Sequence, residues 1–182
     1  MKKGMHFSQL ISDEQNKTHF IKNAGLAKPA LLTELGTSNI KLNEYAYQII
    51  NSERFNPEGL SSSITIIECA LADLGLTGGG NFSEINAAIV KFDLCACPVE
   101  FGPYIRLAYL EQAESNVETV NQNPHGALTI FSKPLFENED FPRGLYLRNF
   151  NRAKWLRGYC CSDDYIWTSD ARMIFQIKHP DK

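Results

Sequence analysis

The stretch Arg143–Cys161, RGLYLRNFNRAKWLRGYCC, decides the fold. Two alternating runs, GLYLRNF and AKWLRGY, flank Asn151-Arg152, the pattern of a β-hairpin closed by a two-residue turn. Successive side chains of a strand point to opposite faces. Leu145 and Leu147 therefore share one face, and Tyr146 and Arg148 the other. In the second run, Leu156 and Gly158 alternate with Trp155, Arg157 and Tyr159. The hairpin is expected to carry a leucine face and an aromatic-cationic face. The stretch also holds Arg143, Arg152 and Lys154 and no carboxylate.

Working outward, ALTIF from Ala127, RMIFQIK from Arg172, SITIIECAL from Ser63 and YIRLAYL from Tyr104 read as further strands. In TGGGNFSEINAAIVKF, Asn81 and Glu84 have the spacing of a capping box, and Phe82, Ile85, Ala88, Ile89 and Phe92 form a helical apolar face. One strong helix among several strands does not make a doubly wound parallel sheet. The expected class is α+β, with N-terminal helices followed by a mainly antiparallel sheet and a helix packed on one face.

The first third reads as helical. Phe7, Leu10, Ile11, Phe20 and Ile21 suggest a first helix, and Pro29 and Gly36 bracket a short one over Ala30–Leu35. Another follows in IKLNEYAYQIINSERF, with Leu42, Tyr45, Ala46, Ile49 and Ile50 as its stripe. That outline also suits a DNA-binding helix-turn-helix, but Glu44 and Glu53 offset Lys41 and Arg54, so no cationic face results. A plain helical hairpin is the reading. The turn-rich NPEGLSSS, Asn56–Ser63, separates a helical segment 1–58 from an α+β body 59–182, unless 1–182 is a single domain.

The apolar and charged fractions, 43% and 21%, are those of an ordinary globular chain and argue against disorder. A formal charge of -3 provides no global field for nucleic acid or an anionic membrane. The two lysines of MKKGMHFSQLISDEQNK precede no apolar run, and Glu68 and Asp73 break up ITIIECALADLGL, so neither export nor a membrane span is expected. The expected address is the cytoplasm, where five cysteines, an odd number, would stay reduced.

ITIIECALADLGL, CPVEFGPYIRLAYLEQ, GLYLRNF and WLRGY, in that order, resemble an uncharacterised family of small bacterial proteins, a domain of unknown function. The resemblance spans roughly residues 64–175. It implies a bacterial cytoplasmic protein and carries no catalytic motif or ligand.

Several constellations could carry chemistry. Cys95 and Cys97, two apart on a strand, could share a metal. The adjacent Cys160 and Cys161 would face opposite sides, and a structural zinc site needs four converging ligands, so buried thiols and no metal are expected. A cysteine hydrolase needs a histidine beside its thiol. Of His6, His19, His125 and His179, only His125, in the turn NPHG, has a suggestive setting. The run Thr77-Gly78-Gly79-Gly80-Asn81 lacks the Gly-Lys-Ser/Thr ending of a phosphate loop and reads as a flexible connector.

The preferred reading is a non-catalytic binding or interaction module using Tyr146, Arg148, Trp155, Arg157 and Tyr159, whose rings and guanidinium groups suit an anionic ligand or a protein surface better than nucleic acid. The alternative is an enzyme with a thiol or carboxylate site near Cys97, Glu100, Arg106 and His125. No cofactor is expected in either case.

Overall fold

A computed structural model describes residues 7–60, 63–117 and 122–178. His6, His179 and the Ser61-Ser62 part of the connector lie outside the described residues. In chain order the elements are α1 (Phe7–Ser12), β1 (Lys17–Lys22), α2 (Lys28–Thr37), β2 (Ile40–Leu42), α3 (Glu44–Asn51), β3 (Ser63–Ala70), α4 (Phe82–Val90) and β4 (Leu94–Cys95). They continue with α5 (Gly102–Ala108), β5 (Leu128–Ile130), β6 (Gly144–Phe150), β7 (Ala153–Tyr159) and β8 (Arg172–Ile177).

The strands form one curled mixed sheet in the order β1-β3-β8-β5-β6-β7-β2, with β4 paired to β8. Pairing is antiparallel except at β2–β7 and β5–β8. The class is α+β. The hairpin forms as its alternation requires, with Phe150 opposite Ala153 and Asn151 and Arg152 at φ 50° and 58°, as a two-residue turn demands. Its amides are captured from outside the hairpin: Asn151 N–H donates to Asn116 Oδ1 at 2.9 Å and Arg152 N–H to Glu114 Oε1 at 2.7 Å.

Each face of the sheet has its own core. Ile64, Ile66, Ile130, Leu145, Leu147, Leu156 and Ile174 pack with Leu31 and Leu35 of α2, Ala46, Ile49 and Ile50 of α3 and Ile105 of α5. On the other face, Ile67, Cys69, Phe131, Met173 and Phe175 pack with Leu10 of α1 and Ile85, Ala88 and Ile89 of α4. Burying an apolar side chain contributes about 1.5–3 kcal/mol, so the two clusters supply the main driving force.

Four local readings are corrected. YIRLAYL is not a strand: a 3₁₀ turn at Val99–Phe101 leads into α5. Pro103 sits in its first turn, where a missing N–H costs nothing, and a Cβ on Gly102 would lie 2.5 Å from Leu145 Cδ1. Residues 17–22 are not helix but β1, where Thr18, Phe20 and Ile21 favour an extended chain and β3 supplies the partner. The helical hairpin is interrupted, because Ile40–Leu42 runs parallel to β7 and α3 starts only after Asn43. Gly36 does not stop α2, which runs to Thr37; Asn39, at φ 55°, takes the left-handed position beyond it.

The first 58 residues thus contribute both edge strands, β1 and β2; α2 and α3 complete the leucine-side core and α1 packs on the opposite face.

Candidate functional site: an arginine and tyrosine cleft

The register of β6 and β7 places Tyr146 opposite Arg157, Arg148 opposite Trp155 and Gly144 opposite Tyr159. These side chains share one face, and Leu145, Leu147 and Leu156 are fully buried on the other. On the aromatic-cationic side a cleft of about 560 Å³ opens, within the range of small-molecule sites. Its floor is Thr129, Tyr146, Arg148, Arg157 and Tyr159. Its walls are Asn43 and Tyr45, from the start of α3, and Asn123, Pro124, Tyr165 and Trp167, from the loops before β5 and β8. Trp155 stands one step further along β7, between Arg157, 5.3 Å from its ring centroid, and Lys41, at 5.6 Å.

Local sequence explains each wall. β2 ends at Leu42, and the Asn43 side chain then takes over the pairing with β7: its Nδ2 donates to Gly158 O at 2.9 Å and its Oδ1 accepts Gly158 N–H at 2.7 Å. The same Oδ1 caps α3 by accepting Ala46 N–H at 3.0 Å. Gly158 permits this approach, because a Cβ there would lie 2.6 Å from Tyr45 C and 2.7 Å from Ala46 N.

The glycine run secures the opposite side and is not a loose connector. Gly80 and Trp167 exchange backbone hydrogen bonds at 3.0 Å each, and Gly79, at φ 83°, leaves no room for a Cβ against Trp167 O. The capping box that follows is formed, Asn81 N–H to Glu84 Oε2 at 2.9 Å and Glu84 N–H to Asn81 Oδ1 at 3.0 Å.

No carboxylate lines the cleft among the described residues. Of the nearby acids, Asp163 pairs with Arg143 at 2.5 Å, and among the described residues no acid pairs with Arg157. Arg157 is half-buried, 6.0 Å from the Tyr146 ring centroid. Arg148 is only 5% exposed; its Nη2 donates to Val117 O at 2.7 Å and its guanidinium lies 4.2 Å from the Phe150 ring. Burial raises the Tyr146 hydroxyl above its ordinary pKa, and neighbouring Arg157 and Arg148 only partly oppose this, so it remains a neutral donor. Cys160 and Cys161 also line the cleft, but burial raises both thiols, Cys161 to about 11. Neither is an activated nucleophile.

The four residues of the alternative site do not converge. Cys97 is buried, its N–H donating to Phe131 O at 2.8 Å, and burial raises its thiol far above the ordinary range. It shares a second hollow, of about 690 Å³, with Glu100, Cys95, Arg54, Lys133 and Lys178. Arg106 lies wholly within the leucine-side core, where burial lowers its pKa to about 10. It donates to Gln112 Oε1 at 2.6 Å, to Tyr109 O and to Trp155 O at 3.5 Å, three acceptors without a counter-charge. His125 is exposed in a third hollow, its Nδ1 2.9 Å from Ser115 Oγ. The two cysteine pairs line different hollows, and among the described residues no three His, Cys, Asp or Glu side chains gather as metal ligands. No helix among the described residues is long and apolar enough to cross a membrane.

Sequence reasoning missed Asn43, Tyr45, Asn123, Tyr165 and Trp167. Only Asn43, as an N-cap before Glu44, carried a local signal. No family model, curated protein or solved structure matches this chain.

Proposed function

We propose that this protein is a non-catalytic binding module that takes a small anionic ligand in the cleft over β6 and β7. The observation that carries this reading is Arg157, half-buried in a cleft lined by rings and amides, with no carboxylate paired to it among the described residues. A guanidinium in such a setting binds carboxylate or phosphate through two parallel hydrogen bonds, more strongly than an exposed pair would. Catalysis has no support here: among the described lining residues, burial raises both thiols and no histidine is present. Nucleic acid is disfavoured by the charge of -3 and by the concave shape of the site, which suits a small ligand. We place the protein in the cytoplasm, a reading supported by five free cysteines.

Thermal-shift measurements with phosphate, acetate and benzoate at constant ionic strength test the proposal. A concentration-dependent rise in Tm is expected with at least one anion. It should vanish in Arg157→Gln and persist in Arg152→Gln, which changes an exposed turn residue. Equal loss in both variants, or no stabilisation by any anion, refutes it.

A further inference from the structure

We infer that the ligand of this cleft is an aromatic oxyanion, a planar ring bearing a carboxylate or phosphate, with its ring against the tyrosine wall and its oxyanion on Arg157 and the Tyr146 hydroxyl. The inference rests on the anion-binding reading above and adds the body of the ligand to its charge.

The lining selects the body. Its apolar surface is almost wholly aromatic: Tyr45, Tyr146, Tyr159, Tyr165 and Trp167 contribute rings, and no Leu, Ile, Val or Met side chain appears among the described lining residues. The second hollow on the same molecule is built differently, with Ile89, Val90, Leu94, Val99 and Leu135. Generic apolar surface would resemble the second hollow. Rings gain from meeting other rings in offset or edge-on contact, beyond the area they bury, whereas a saturated chain gains only the area. The tyrosine wall is also ordered: Tyr165 lies 4.8 Å from Trp167, nearly perpendicular to it, and Tyr159 lies 6.3 Å from the same ring.

The head group is selected by two unfilled donors. Tyr146 lines the cleft, and its hydroxyl makes no hydrogen bond with any described residue. That hydroxyl is not among the buried unpartnered atoms, so it is open to an incoming acceptor from the cleft. The Arg157 guanidinium beside it is flanked by the Trp155 and Tyr146 rings, and its buried Nε has no partner among the described residues. Together they present a flat, pre-oriented fork and one hydroxyl to an incoming oxyanion. Carboxylate and phosphate share that chemistry.

Ligand-observed NMR with benzoate, phenyl phosphate, cyclohexanecarboxylate, acetate, inorganic phosphate and neutral toluene tests this. Benzoate or phenyl phosphate should bind at least tenfold more tightly than cyclohexanecarboxylate, acetate and inorganic phosphate, and the preferred one of the two identifies the oxyanion. Arg157→Gln should weaken it at least tenfold. Tyr146→Phe should weaken it about threefold or more, with the denaturation midpoint retained. If Arg157→Gln fails to fold, Arg157→Lys keeps the charge, loses the fork and should still weaken benzoate binding. Equal binding of benzoate and cyclohexanecarboxylate, both lost with Arg157, overturns the aromatic class and leaves the anion reading standing. Toluene binding as tightly as benzoate, or no anion binding at all, overturns both.

Discussion

The contact between α3 and β7 provides the sharpest test of how this cleft is built. In Gly158→Ala the new methyl group would stand 2.6 Å from Tyr45 C and 2.7 Å from Ala46 N, both backbone atoms that no rotamer change can move. Ordinary contact begins at 3.4 Å, so the start of α3 must retreat by about 0.8 Å. Overpacking of this kind costs about 1–3 kcal/mol. The retreat also stretches the bonds from the Asn43 side chain to Gly158, now 2.7 and 2.9 Å long. Each contributes about 0.5–1.5 kcal/mol, and loss of the α3 cap adds about 1 kcal/mol. The expected loss is about 3–7 kcal/mol, or roughly 10–20 °C in Tm for a chain of this size. Urea denaturation followed by circular dichroism measures it. Asn43→Ala alone should cost about 2–4 kcal/mol, because it removes the cap and both Gly158 bonds without a clash. The double variant should then lose clearly less than the sum of the single losses, since the methyl group already disrupts what Asn43 provides. A Gly158→Ala loss below about 1 kcal/mol, or strict additivity with Asn43→Ala, would refute this account of the joint.

Two further outcomes follow from the same structure. Gly79→Ala combines a left-handed φ of 83° with a methyl group driven into the Trp167 carbonyl, and is expected to cost about 2–4 kcal/mol; Gly78→Ala, with open space around it, should change the urea midpoint little. His19 is half-buried 4.4 Å from the Tyr109 ring, and burial outweighs nearby Glu68 to lower its pKa below the ordinary 6.5. The unfolded chain then takes up the proton first, so the stability His19 contributes at neutral pH is lost as the pH falls through 6.5 toward the lower folded value. Between pH 7.5 and 5.5, the Tm of the wild type should fall by more than that of His19→Gln; equal slopes would show that His19 does not titrate as its burial requires.

Where a local pattern and its tertiary partner agree, the chain can be read directly. The alternation of Gly144–Phe150 and Ala153–Tyr159 specifies two faces because a one-residue slip would put Leu145, Leu147 and Leu156 in water. Asn81 and Glu84 announce α4 because both capping bonds lie within three residues of chain. The face of Tyr146, Arg148, Arg157 and Tyr159, which makes the hairpin's share of the cleft floor, is therefore legible in the sequence. Its depth is not, since Arg148 is nearly buried and Trp155 and Arg157 are half-buried.

Tertiary structure decided the rest, for one physical reason: the deciding partner lies far away along the chain. Lys17–Lys22 and Ile40–Leu42 become strands because β3 and β7 offer them hydrogen bonds. Tyr104–Ala108 can alternate as a strand or coil as a helix, and close packing of Gly102 on Leu145 accompanies the helix. The walls of the cleft share this origin. Asn43 meets Gly158 across 115 residues, and Trp167 meets Gly80 through an isolated bridge. Alternation by itself determined which side chains share the sheet face. Only the folded chain brought Tyr45, Tyr165 and Trp167 around them, because no local periodicity encodes a contact between distant loops.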